Sequence, residues 1–524
     1  MLTFLVARLN PISVAGQTRR ASMTWFLWFA AILGLTGILG LGMLLLGPNP
    51  IILAWMVFFL GIIAIIYQPR YGVYLILFFA LLTDGILTPW YPFVKNFSSA
   101  ESIFYLNGSL IISPLEVYIA VTLISWLGRA AMERKLKFYT GPLFWPATLF
   151  TAFWIFGLGF GLAKGGNLNA ALWEARPIIY LPVMLVLTSN LMTTREHVNR
   201  LMWFIMIDLL IVGIIGNGVY FFQLHGDIHT VKEITEHASA VHMNTLYILI
   251  LAAWIYKASP AKRFLLPFFV PFVGLTYFAT QRRAAFLSFI IALLLMAFIL
   301  FIEKRKIFWR VVPPILCIFL LYLAAFWHSS STLALPVEAV KSMVDQKQSS
   351  MEDQLSNAYR VLENMNSDFT IHTSPLFGIG FGRKFYIIVR MPDISSFIWW
   401  QYITHNSIIW IWMKMGFGGF IAMLILIGTS IMVGVRSLLR MPGGNLSAIA
   451  LTATLYIVMH FTYAYVDMSW DIRSMLFLGS MMGLLNALEH IAAQPIPIPE
   501  KRWAWLPDAK PQAGLKALSS ETNR

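Results

Sequence analysis

The chain has 524 residues, 58% of them hydrophobic and only 12% charged, with a mean hydropathy of +0.72; a soluble domain carries about 25% charged residues, so a water-soluble globular protein is excluded. One cysteine, Cys317, rules out an intramolecular disulfide and a cysteine-rich structural metal site. The net charge of +14 is spread through short loops between apolar runs; it reads as a topology signal, and no nucleic-acid partner is expected.

Apolar runs of about 20 residues are long enough to cross roughly 30 Å of hydrocarbon. In chain order they are expected at 25–46, 50–67, 71–88, 114–130, 142–161, 173–190, 201–223, 240–257, 262–279, 284–302, 309–327, 406–435, 446–464 and 470–487. The expected fold class is therefore an all-α integral membrane protein, a bundle of about fourteen spans (range twelve to fourteen). The first 24 residues carry Arg8, Arg19 and Arg20 but no small-residue cleavage site after a short apolar core, and no cleaved signal peptide is expected.

The Lys/Arg distribution gives an orientation. With the N-terminus inside, 24 of the 38 basic residues, among them Arg70, Arg129, Arg195, Arg263, Lys304, Arg305 and Arg440, fall in inner loops or in the tail. Both termini are then cytoplasmic. The 14 on the outer side include Arg176, Arg282, Arg283, Arg360, Arg383, Lys384, Arg390, Lys414 and Arg473. One arginine at a helix end can snorkel to water; several converging from different helices make an anion site. Histidine shows the same outward bias, and His225, His229 and His237 have no carboxylates at reliable metal-ligand spacing, so neither a metal nor another cofactor is expected.

Two outer segments are more than turns. Residues 89–113 hold Trp90, Tyr91, Phe93, Phe97, Phe104 and Tyr105, which suggests a loop or short helix lying along the membrane surface. Residues 328–405 form the largest soluble element. Within it Met351, Leu355, Ala358, Leu362 and Met365 recur at spacings of four and three, with Ser350 and Asp353 placed to cap the start. This predicts an amphipathic helix laid over the bundle, with Arg360 turned away from its apolar stripe. The Pro-rich, basic stretch after 490 reads as a disordered end.

Ser374 to Gly419 organises the rest. It joins a Gly-punctuated turn, PLFGIGFG, to Arg383 and Lys384, an aromatic run, and His405-Asn406-Ser407 at the mouth of an apolar helix. No Gly-Lys-Ser/Thr closes the turn, so it is not a nucleotide loop; it is expected to bring Arg383 and Lys384 back toward the membrane.

Three stretches carry a resemblance: TYFATQRRAAFLSFIIALLL, YRVLENMNSDFTIHTSPLFGIGFGRKF and THNSIIWIWMKMGFGG. They resemble the O-antigen ligase and O-antigen polymerase superfamily, inner-membrane glycosyltransferases whose donors are undecaprenyl-diphosphate-linked glycans. The matches cover roughly 260 to 425. The resemblance implies a catalytic-site arginine at Arg283, a loop-helix arginine at Arg360 and a catalytic histidine at His405. Where the family more often has Ser-Arg-Gly, this chain has Arg282-Arg283-Ala284, so Arg282 and Arg283 are both candidates. The apolar spans and the Lys/Arg distribution give the expected layout: 1–24 in the cytoplasm, eleven spans in 25–327, a large periplasmic loop over 328–405, three spans in 406–487 and a cytoplasmic tail over 488–524.

The chemistry agrees with the residue types. A diphosphate leaving group gains negative charge as the glycosidic bond breaks, and a guanidinium matches phosphate in a bidentate way that lysine cannot. Arg282, Arg283, Arg360, Arg383, Lys384 and Arg176 are the expected donor-binding cations. An imidazole titrates near neutral pH and suits a general base for an acceptor hydroxyl, a role that falls to His405, with Asn406 orienting it or capping the following helix. Glu174, Asp467 and Asp471 are spare candidates for base or for pairing the arginines. The expected partners are the lipid-linked donor, an acceptor that is a glycan, a lipid A core or a second lipid-linked repeat, and membrane lipid. A lipid-glycan transporter is the rival from another class; it would predict charged or broken positions in two repeated halves.

Overall fold

The computed structural model describes residues 34, 37 and 50–495, apart from 88–92, 101, 135–137, 228–232, 281, 330–333, 335, 336, 338, 339, 342–350 and 393–396. Among the described residues all regular structure is helical. The helices are α1 Pro50–Tyr67, α2 Arg70–Leu82, α3 Pro114–Met132, α4 Phe144–Ala163, α5 Leu168–Leu191, α6 Arg195–Gly218, α7 Ser239–Ile255, α8 Pro260–Leu265, α9 Val270–Ala279, α10 Arg283–Glu303, α11 Arg305–Phe326, α12 Met351–Thr373, α13 Ser407–Arg440, α14 Asn445–Val466 and α15 Ile472–Ala493. Ten stretches, with α8 and α9 counted as one, are long and apolar enough to cross a membrane; α1, α2 and α7 are shorter apolar helices. Thirteen of the fourteen expected spans coincide with these helices, and the one at 25–46 lies outside the described residues except for 34 and 37, while Ser350 and the tail from 496 lie outside them entirely.

The helix ends follow from local chemistry. Ser113 and Glu116 close a full capping box on α3, Asn167 caps α5, Thr194 caps α6 and Asp471 caps α15, each side chain taking a backbone N–H that the first turn leaves unpaired. The centre is made by α5, α14 and α15. Gly479 and Gly483 on α15 let it approach α5 so closely that a Cβ at Gly479 would stand 2.3 Å from the Leu181 carbonyl oxygen; small residues of this kind set helix contacts where water supplies no hydrophobic drive.

The described part of 93–113 is a loop whose Tyr105, Leu106, Ile111 and Ile112 are exposed, but whose other aromatic residues turn inward. Phe93, Phe97 and Phe104 are buried against Trp55, Phe58 and Tyr118, a non-helical aromatic cap over α1 and α3. Trp90 and Tyr91 lie outside the described residues.

Because the spans alternate in direction, the loops after α2, α6, α9 and α14, the helix α12 and the start of α13 all gather at one end of the bundle. There α12 departs from the expected packing. Much of the stripe read as the seat of the helix faces outward: Leu355, Ala358 and Met365 are exposed, as is Phe369 beyond them, and Leu362 alone of the described stripe residues packs partly against the core. The face turned to the protein carries Tyr359, Glu363, Asn366, Ser367 and Thr370, all buried. Arg360 does turn away from the stripe, and so points into the protein end.

After α12 the PLFGIGFG turn enters the bundle. Gly378, Gly380 and Gly382 all have positive φ, which only glycine adopts freely. A Cβ at Gly380 would meet the Gly161 Cα on α4 at 2.3 Å. Opposite it α13 breaks at Gly416 (φ 69°), nine residues and about 13 Å from its start. The turn uses what the break frees: Ile379 N donates to Met413 O at 2.8 Å and Phe417 N to Pro375 O at 2.9 Å. Irregular backbone at this depth is tolerated only where the protein satisfies it.

Candidate functional site

Asp467, just past α14, is the point on which the site is built. Its backbone is stitched to the mouth of α13: Ser407 Oγ donates to Asp467 O at 3.1 Å, Ser469 N to Ser407 Oγ at 3.1 Å, and Trp470 Nε1 to Ser407 O at 3.0 Å. Its carboxylate, 2% exposed, takes hydrogen bonds from His237 Nδ1 at 3.3 Å and from the Tyr463 hydroxyl at 3.3 Å. Arg360 Nη2 stands 3.7 Å away. Burial alone pushes the Asp467 carboxyl up, but the His237 hydrogen bond and the positive charges of His237, Arg360 and His405 outweigh it and hold the group well below the usual carboxylate range. Reciprocally, burial pushes the His237 imidazole down while Asp467 pulls it up, and Asp467 wins.

His405 lies on the same face. Its backbone N–H donates to Glu363 Oε2 at 2.8 Å and its Nδ1 lies 3.0 Å from the same oxygen. Glu363 is 2% exposed and His405 23%, so the carboxylate is sealed behind an imidazole that can be reached. A carboxylate only accepts, so Nδ1 carries the proton and Nε2 is left to accept one. The Tyr359 ring meets the imidazole edge-on at 5.6 Å. Asn406 caps α13: its Oδ1 accepts from Ile408 N at 3.2 Å and Ile409 N at 3.1 Å.

Arg282 enters from the α9–α10 loop. It is paired with Glu233, which also lies 3.5 Å from His237, and it is close enough to Asp467 and Arg360 for their charges to act on it. The Nε atoms of Arg282 and Arg360 are buried without a hydrogen-bond partner. Each guanidinium therefore arrives partly neutralised by a carboxylate, with donor capacity left. Arg283 is the first residue of α10 and half-buried.

The other candidates fall elsewhere. Lys414, fully buried on α13, is 2.7 Å from Glu174 Oε1 on α5 and donates to Arg383 O at 2.6 Å; Glu174 also accepts from Gly382 N. That pair rivets the Gly-rich turn, and Arg383 and Lys384 follow it, Lys384 Nζ lying 5.9 Å from the Tyr402 ring. Lys414 is two helical turns, about 10 Å, from Ser407. Arg176 is engaged by Glu116, Tyr180 at 3.0 Å and Asn96 at 2.9 Å, joining α5 to α3. Arg473 is a structural hub. It is paired with Glu236, stands 3.6 Å from Asp84 and 3.7 Å from Asp471, and donates to Thr83 O at 2.8 Å, which fixes the loop that presents Glu233 and His237.

Sequence reasoning missed Glu363 and His237 and ranked Asp467 only as a spare. One signal was present: Tyr359, Arg360 and Glu363 share one helical face at spacings of one, three and four. The approach of His237 and Glu233, more than 120 residues from Arg360 in sequence, leaves no local pattern. Among the described residues no group of three or more His, Cys, Asp or Glu is arranged to hold a metal ion.

The fold and this cluster define a multi-span, all-α membrane protein with a carboxylate-oriented histidine and two arginines gathered at one end of its bundle. Residues 266–424 match the O-antigen ligase (Wzy_C) family model, so that segment is similar to the O-antigen ligase and polymerase superfamily. The match includes Arg282, Arg283, Arg360, Glu363 and His405 and leaves out His237 and Asp467. No curated protein matches the chain.

Proposed function

We propose that this protein is a glycosyltransferase that moves a glycan from undecaprenyl diphosphate to an acceptor hydroxyl at the outer, periplasmic face of a bacterial inner membrane, with both termini in the cytoplasm. The observation that carries the proposal is the His405–Glu363 pair lying beside Arg282 and Arg360, brought together by α12, the α9–α10 loop and the mouth of α13. His405 Nε2 takes the acceptor proton as the hydroxyl attacks the anomeric carbon. Glu363 holds the ring and stabilises the imidazolium that forms, since hydrogen bonding and opposite charge both favour the charged form. Arg282, Arg283 and Arg360 meet the charge that develops on the leaving diphosphate, in a site partly shielded from bulk water, where fixed positive groups gain most. Arg383 and Lys384, and more remotely Arg176, bind outlying parts of the donor.

A single displacement with one base and a stabilised leaving group inverts the anomeric centre. With arginines on the diphosphate, the reaction runs without a divalent ion. A lipid A core sugar as acceptor makes the protein a ligase, which we favour slightly; a second lipid-linked repeat makes it a polymerase, and a serine or threonine of a protein makes it an oligosaccharyltransferase. A transporter would instead call for charged or broken positions in two repeated halves, and the sequence shows no repeated halves. The test is purified protein with lipid-linked donor and each acceptor class, the products followed by mass. Release of lipid diphosphate with growth of one acceptor identifies the reaction, and unchanged donor with every acceptor would overturn the proposal.

A further inference from the structure

Among the described residues the outward apolar stripe of α12 is left largely bare, with Phe369 meeting the Tyr386 ring edge-on at 6.4 Å. Leu355, Met365 and Phe369 are 60%, 50% and 42% exposed, and the patch runs on past the helix end to Leu376 and Phe377 at 66% and 56%. Monomers in water rarely leave so large a contiguous apolar surface bare.

Two features say what covers it. The first is depth. The α12 residue that reaches the mouth of α13 is Glu363, through His405, whereas Pro375, two residues past the helix, is bonded to Trp412 Nε1 at 3.0 Å and to Phe417 N. Residues 365–377 therefore descend along the upper third of a membrane-spanning helix. The second is continuity. Phe377 lies 6.1 Å from Phe156 and 6.2 Å from Phe160 on α4, itself a candidate span whose Ile155 and Phe156 are also exposed. The stripe thus joins the surface that α4 turns to lipid.

We propose that α12 is a membrane-immersed roof: its apolar face and the Leu376–Phe377 tip lie in the acyl region of the adjoining leaflet, and the bilayer presses its polar face, with Arg360 and Glu363, onto the site. Nothing in this inference depends on the reaction or the donor.

Cys317 is the only cysteine, so a Cys317→Ala background allows a single nitroxide label at Met365 or Phe369 of the full chain in lipid nanodiscs. Collision with oxygen, which concentrates in acyl chains, and with a water-soluble nickel chelate is compared with labels at Leu294 on α10, 65% exposed, and at Ser109 in an exposed outer loop. Labels at 365 and 369 should match Leu294, with an oxygen-to-nickel ratio several-fold above Ser109. A ratio equal to that of Ser109, or a label shielded from both colliders by a second protein chain, overturns the proposal. If labelled variants fail to fold, the unmodified protein reconstituted with an acyl-chain diazirine lipid gives the same answer. Adducts on peptides spanning 355–377 support immersion, and adducts on α10 with none there refute it.

Discussion

Residues of one type do different work here, and the arginines show it most plainly. Arg473 is buried among Glu236, Asp471, Asp84 and the Thr83 carbonyl; Arg282, paired with Glu233, and Arg360, 3.7 Å from Asp467, each keep a buried Nε without a hydrogen-bond partner among the described residues. Removing one partner of a buried charged network costs about 3–5 kcal/mol, so Arg473→Ala should lower the melting temperature sharply and lose activity only with the fold. Thermal unfolding in detergent checks this, and a folded, inactive Arg473→Ala would instead place the residue in the chemistry. His237 makes a pH prediction. Its folded pKa is raised by Asp467 against the opposing effects of burial and Arg360, with Glu236 adding to the rise. Its contribution is therefore fully present below the ordinary histidine value, about 6.5, and is lost as pH rises through the raised value. The melting-temperature gap between wild type and His237→Gln should be wide at pH 6 and narrow at alkaline pH; a gap independent of pH would mean that the contact is steric.

At the scale of elements, the spans were legible because about 20 apolar residues between basic or Pro/Gly-containing loops leave little choice of structure. The cap at Asn406 and the turn at PLFGIGFG were legible for similar local reasons. The packing of α12 was not. An apolar stripe marks the buried face of a helix when the medium outside is water; under the proposal above, Leu355, Met365 and Phe369 face hydrocarbon instead. The Glu174–Lys414 rivet was hidden because its members come from two helices and 240 positions apart. It makes a prediction with the turn it holds: Gly380→Ala puts a Cβ 2.3 Å from Gly161 Cα at a φ of +81°, and Lys414→Met leaves Glu174 buried and unpaired. Each should cost about 3 kcal/mol or more, and protease access to 374–392 should rise in both. Unchanged cleavage in the two variants would show that the turn is held by something else.

For the whole molecule, the alternation of spans brings the site together at the end opposite the denser band of Lys and Arg, which under the positive-inside rule is the end predicted to lie outside the cytoplasm. Reporter fusions active only outside should be active at 95, 232 and 350 and silent at 132, 305 and 515; activity at 305 would reverse the assignment. Treatment with EDTA should leave transfer intact, because arginines meet the diphosphate; an activity lost to EDTA and restored by Mg²⁺ or Mn²⁺ alone would require a metal. The central claim is that the histidine and the arginines act on different partners. It is tested most directly by titrating folded His405→Ala, Arg282→Ala and Arg360→Ala with undecaprenyl-diphosphate donor and measuring single-turnover transfer for each. His405→Ala should keep donor affinity and lose transfer by about 10²–10⁴, while the arginine variants should lose both; near-wild-type transfer by His405→Ala, or equal loss of donor affinity in all three, would contradict the account.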